Sequence, residues 1–152
     1  MELPVGYDYF HEVIENKLDL VDKSLFIKDV IEDKAIKAAV LTRPRRFAKT
    51  FNLSMLHAFL APEIDGKSTK NLFEHLKITQ CKELCDQHQG KYPVIFITLK
   101  GVKDHRYEVA YNNLCKLMSR VYIKHQDVLS SSKLANHQKK IYEHAVADGR
   151  SK

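Results

Sequence analysis

Residues 38–56 read AAVLTRPRRFAKTFNLSML, and the interpretation of this stretch decides the fold. An apolar run passes into a loop that holds Arg43, Pro44, Arg45, Arg46 and Phe47. Ala48, Lys49 and Thr50 follow, and then an apolar segment with helical spacing. Strand, loop, Lys-Thr and helix is the order of a phosphate-binding loop. In such a loop, successive backbone N–H groups and a helix N-terminus face an anion, a lysine adds charge, and a Ser or Thr hydroxyl ligates Mg²⁺. The pattern G-x-x-x-x-G-K-[ST] laid on this stretch places Arg43 and Ala48 at its two glycine positions. Ala48 is the more consequential departure. Its methyl stands where the backbone should approach a phosphate, and left-handed dihedrals there cost about 1–2 kcal/mol. Pro44 removes one donor, and the arginines can offset part of the loss by pairing with phosphate oxygens. Spacing alone leaves a second reading open, in which the arginines form a solvated turn and Lys49-Thr50 starts an ordinary helix.

Outward from this loop the sequence divides into four parts. Residues 1–37 read as helical: Phe10, Val13 and Ile14 recur at helical spacing, and Ser24 is placed to cap a helix over 25–33. Residues 38–61 are strand, loop and helix. AIKAAVLT (35–42) reads as a buried strand, and Leu53, Leu56 and Leu60 share one face of a helix that Pro62 stops. Residues 62–103 hold a turn, short helices and YPVIFITL (92–99), whose β-branched and aromatic residues read as a second strand with Pro93 at its start. Residues 104–152 are helical again. Tyr107, Ala110, Leu114, Leu117, Met118 and Val121 recur on one side of the first helix, with Lys116, Arg120 and Lys124 on another. Helices with two apolar strands between them predict an α/β fold, a parallel sheet with helical crossovers.

The chain of 152 residues has the length of one ordinary domain, and its 44% hydrophobic and 29% charged residues match a globular protein rather than a disordered one. A net charge of +6 favours polyanions such as nucleotides, nucleic acid or acidic membranes without choosing among them. Cys81, Cys85 and Cys115 are an odd set in a chain with no charged-then-apolar leader, which is read as free thiols in a reducing, cytoplasmic compartment. No run approaches the roughly 18 apolar residues of a membrane span. Cys81, Cys85 and His88 fall on one helical face, and His75 or Cys115 could complete a zinc site; buried thiols beside a surface histidine are the more ordinary outcome. The histidines lack H-E-x-x-H spacing, no residue is assigned a catalytic role, and Asp22-Lys23 has no assigned mechanism.

The segments LPVGYDYFHEVIENKLDLVDKSLFIKDVIED, LTRPRRFAKTFNLSML, LFEHLKIT and HQGKYPVIFITLKGVK, in this order, resemble the bacterial AAA-ATPase-like family of predicted P-loop ATPases from about Leu3 to Ala147. In that family the loop reads R-P-R-R-F-G-K-[ST], so Arg43, Pro44, Arg45, Arg46, Phe47, Lys49 and Thr50 carry over and Ala48 is the departure. The resemblance implies ATP and Mg²⁺ as cofactors, with Lys49 on the β- and γ-phosphates, Thr50 on the metal and the backbone of 45–50 cradling the phosphates. It also implies an apolar strand ending in acidic residues, the Walker B element, which this sequence does not contain. The expectation is therefore a single partial domain of P-loop type, truncated before that strand, which binds Mg·ATP through a degenerate Walker A loop. Hydrolysis would be impaired. The alternatives are a non-catalytic piece that binds nucleic acid or a partner through the Arg43–Lys49 cluster, or an inactive fragment that self-associates or needs a complementing chain.

Overall fold

Among the described residues six α-helices form where apolar residues recur at helical spacing: α1 (Phe10–Glu15), α2 (Phe26–Glu32), α3 (Lys49–Leu60), α4 (Lys82–His88), α5 (Tyr107–Lys124) and α6 (Asn136–Asp148). The computed structural model describes residues 4, 6–33, 38–42, 44 and 47–148. The chain divides into two units, Met1–Phe96 and Ile97–Lys152.

The predicted parallel α/β sheet is not what forms. The described residues are mostly helical, and their one sheet is a two-stranded antiparallel hairpin of β1 (Glu63–Ile64) and β2 (Lys67–Ser68), paired Glu63 with Ser68 and Ile64 with Lys67. Its turn is Asp65-Gly66, both at positive φ (49° and 79°), the conformation that a two-residue hairpin loop requires. Among the described residues neither expected strand joins a sheet. Residues 39–42 and 93–98 take no helix or strand assignment and make no backbone ladder there, and 35–37 lie outside the described residues. The physical reason is that β-branched composition describes a chain fit for pairing, while the pairing itself needs a neighbour from elsewhere. Ile95 and Leu99, each 64% exposed, accordingly stay in solvent.

The first unit is built on an aromatic core. Phe10 of α1 stacks on Phe73 with ring centroids 4.9 Å apart and meets Phe51 edge-on at 6.0 Å, and Phe59 meets Phe73 edge-on at 5.4 Å. Ile27, Met55, Ala58, Ile64, Ile78 and Leu84 complete the buried cluster. Each fully buried large side chain contributes about 1.5–3 kcal/mol of transfer free energy, so this cluster is the main source of the unit's stability. One polar group is drawn into it. Ser54, buried on α3, accepts the Phe10 N–H at 2.8 Å and donates to the Phe51 carbonyl at 2.8 Å, so the first turn of α1 is capped by another helix.

That arrangement corrects the expected face of α3. Ser54, Met55, Ala58 and Phe59 are buried, whereas Leu53 is 42% exposed and Leu56 and Leu60 are half-buried. Apolar residues lie on several sides of this helix, so periodicity alone does not choose the side that packs. Pro62 lies just beyond the C-cap Ala61. Three of the last four carbonyls accept: Ala61 N–H bonds His57 at 2.9 Å, Gly90 N–H bonds Phe59 at 2.9 Å and Tyr92 N–H bonds Leu60 at 3.0 Å. Buried Thr69 donates its hydroxyl to the Ala61 carbonyl at 2.5 Å.

Ser24 does not cap α2. Its carbonyl accepts the Ile27 N–H at 3.0 Å, while its buried Oγ accepts the Ile78 N–H at 3.0 Å. Asp22 bonds the N–H of Ser24 through one carboxylate oxygen at 2.8 Å and that of Lys77 through the other at 2.7 Å. Residues 22–24 are thereby pinned to the 3₁₀ turn Lys77–Gln80.

The second unit pairs α5 with α6. Ser119, the buried residue of α5, donates to the Val146 carbonyl at 2.9 Å. The Tyr142 hydroxyl donates to the Tyr122 carbonyl, and the two rings meet edge-on at 4.8 Å. Burial, then nearby Asp127 and Tyr122, push the Tyr142 phenol above its ordinary pKa, which keeps this donor protonated. The expected apolar side of α5 is less covered than its spacing predicts, since Tyr107, Leu114 and Met118 are exposed.

Candidate functional site

Ala48 occupies the N-cap of α3 at φ 53° and ψ 30°, in the left-handed region, with no side-chain cap hydrogen bond. This is the conformation for which a glycine is favoured, at a cost of about 1–2 kcal/mol for a residue with a Cβ. The bend turns the chain abruptly into the helix. The first intrahelical bond runs from the Asn52 N–H to the Ala48 carbonyl at 2.9 Å, so the amides of Lys49, Thr50 and Phe51 belong to the opening turn ahead of it. A helix start of this kind carries about half a positive charge, which favours an anion.

The side chains reinforce that polarity. Lys49 is half-buried and folds back over the loop, with its Nζ 3.5 Å from the Pro44 carbonyl. Thr50 is exposed, and so is Phe47, at 60%. Phe47, Ala48, Lys49 and Thr50 all line one open groove of about 650 Å³. Of the eight residues expected to hold phosphate, these four come together there and Pro44 contacts Lys49; Arg43, Arg45 and Arg46 lie outside the described residues.

The rest of the groove comes from segments that the loop motif does not reach. Tyr7, Asp8, Asp19, Leu20, Val21 and Lys23 line it as well. The pinned stretch 22–24 fixes Lys23 and the neighbouring Val21: burial works against ionisation of Asp22, but hydrogen bonds from Ser24 and Lys77 outweigh it and hold the carboxyl below its ordinary pKa. The unassigned Asp22-Lys23 pair was the local signal for this wall.

The residues fit a Mg·nucleotide. Mg²⁺ keeps several waters and takes one or two protein oxygens together with phosphate oxygens, so the exposed Thr50 hydroxyl on the groove is a suitable hard-oxygen ligand. The cysteines do not form such a centre, for among the described residues no group of three or more His, Cys, Asp or Glu could hold a metal ion. Instead, Cys85 Sγ contacts the Ile78 carbonyl at 3.4 Å, and burial, then Cys81 and Asp86, raise its thiol pKa; His88 Nδ1 shares a 2.7 Å hydrogen bond with the Tyr92 hydroxyl. Among the described residues no helix is long and apolar enough to cross a membrane.

No curated protein and no solved structure matches the chain. The family model for AAA-ATPase-like proteins, described as predicted AAA-ATPases, matches residues 4–151 and so takes in the groove, the Lys49-Thr50 turn and both units. With nearly its whole length matched, this chain belongs to the AAA-ATPase-like family.

Proposed function

We propose that the protein binds a nucleoside triphosphate with Mg²⁺ at the start of α3, through a degenerate Walker A loop. The observation that carries this reading is the arrangement around Ala48. A left-handed bend aims the opening turn of a helix into a 650 Å³ groove, and Lys49 folds back over the same loop. Membership of a family of predicted ATPases supports nucleotide as the anion. Lys49 would neutralise phosphate oxygens, the amides of 49–51 would donate to them, and the Thr50 hydroxyl would ligate the metal. Bound Mg²⁺ would supply charge neutralisation on the triphosphate. The proposal concerns binding. Turnover also needs a group that orients the attacking water, a requirement that charge and position at Lys49 and Thr50 do not meet.

Titration of a fluorescent ATP analogue with Mg²⁺ into the wild type and Lys49→Ala tests it. The expected outcome is saturable binding that weakens at least about tenfold in the variant, the equivalent of removing one charge-assisted hydrogen bond. Equal affinity for the two proteins, or no binding to the wild type, overturns it.

A further inference from the structure

Besides Lys49, the groove at the start of α3 has one more cation among its described lining residues, Lys23. An exposed lysine on a loop is ordinarily just solvated. Lys23 differs in how its backbone is held. On one side Asp22 accepts the Ser24 N–H at 2.8 Å and the Lys77 N–H at 2.7 Å, one through each carboxylate oxygen. On the other, the Oγ of fully buried Ser24 accepts the Ile78 N–H at 3.0 Å. Both neighbours are thus tied to the turn Lys77–Gln80, and the side chain between them stands exposed at the groove. A ligand that meets it need order only that side chain, because the backbone is already fixed.

The ammonium is also uncommitted. Among the described residues the Lys23 side chain makes no ion pair or hydrogen bond, whereas Lys49 folds onto the Pro44 carbonyl. Asp8 and Asp19 line the same groove, and each has a partner that is not Lys23. The described lining therefore holds two carboxylates and two ammonium groups, and its net charge selects nothing. A phosphate gains only where it touches an ammonium directly, through the short charge-assisted bonds that a lysine with three N–H donors can make. Resting on the reading of the phosphate site above, we infer that Lys23 is a second phosphate-contacting cation of that site, which donates to a phosphate oxygen of the nucleotide held at Lys49. The two lysines share one groove of about 650 Å³, which is of small-molecule size.

Inorganic tripolyphosphate, which carries the anion without a nucleoside, separates contact with phosphate from contact with the rest of the nucleotide. Calorimetric titrations of Mg·ATP and Mg·tripolyphosphate compare the wild type with Lys23→Met, Lys49→Ala and Lys82→Met. Lys23 is exposed, so its replacement spares the core, and Lys82 is an exposed lysine of α4 that does not line the groove. Lys23→Met is expected to weaken both ligands about threefold to fivefold, the effect of one charge-assisted contact near the surface. Lys82→Met, with the same loss of charge, leaves both unchanged, and Lys49→Ala weakens both. Wild-type affinity in Lys23→Met, with Lys49→Ala still weakened, overturns the second contact and leaves the phosphate site standing. A loss for ATP without one for tripolyphosphate places Lys23 on the nucleoside and overturns its contact with phosphate. An equal loss in Lys82→Met overturns it too, because net charge then accounts for the effect. Failure of the wild type to bind either ligand removes the phosphate site, and the role of Lys23 with it.

Discussion

The two ends of α3 are built on opposite principles. At its C-terminus the carbonyls of His57, Phe59 and Leu60 are taken by N–H groups of Ala61, Gly90 and Tyr92, and the Thr69 hydroxyl closes the next residue. At its N-terminus an alanine sits in a glycine conformation without a side-chain cap, and the exposed Thr50 faces a groove. One end has most of its carbonyls bonded within the fold; the other begins its ladder only at the Asn52 N–H and lines a groove. A helix end satisfied by the protein holds structure together, and one left open at a cleft is available to a ligand.

The sharpest way to break this contrast is Phe59→Ala. Phe59 is fully buried at the closed end and packs edge-on against Phe73, so its truncation should cost about 3–5 kcal/mol, read as a lowered midpoint in urea unfolding. A loss below about 1 kcal/mol would mean that the closed end is not where stability resides. The next effect concerns the brace beside the open end. Asp22 is held below its ordinary pKa of 3.8, so the unfolded chain binds its proton more readily. Its stabilisation is therefore complete above about pH 4 and fades as pH falls through the folded-state pKa. Unfolding free energies of wild type and Asp22→Asn, measured from pH 6 to pH 2.5, should differ by about 1 kcal/mol or less at the top of the range, after discounting for solvent screening, and by progressively less toward the bottom. A constant gap would place the effect outside this carboxylate. The smallest change sharpens the comparison at the bend itself. Ala48→Gly relieves left-handed strain but frees the unfolded chain, for a net gain of about 0.5–1 kcal/mol. Nucleotide affinity should not fall. A loss of stability would show that Ala48 is not strained there.

How much of this was legible in sequence differs by element. The helices were, because their apolar spacing is local. The packed side of α3 was not, since Leu53, Leu56 and Leu60 compete with Met55 and Phe59 and only the partners decide. The two strands failed for the converse reason: 38–42 and 93–98 have strand composition but no described neighbour to pair with. The hairpin that does form was announced by Asp65-Gly66 and read only as a turn. At the site, the order of loop, Lys49 and Thr50 was visible because it is contiguous. Ser24 looked like a local cap, yet its oxygen serves Ile78, 54 residues away, and no local pattern encodes that. Tyr7 and Val21 line the groove from segments well removed in sequence from its loop.

Among the described residues the run 93–98 has no ladder partner, and Ile95 and Ile97 are exposed along it. Such an edge is a template on which a second extended chain can crystallise into fibrous aggregate. Exposed Lys91, Lys100 and Lys103 bracket the run and act as gatekeepers, since stacking copies in register would bring their ammonium groups together. Part of the chain's surplus positive charge thus has a colloidal task that is independent of any ligand.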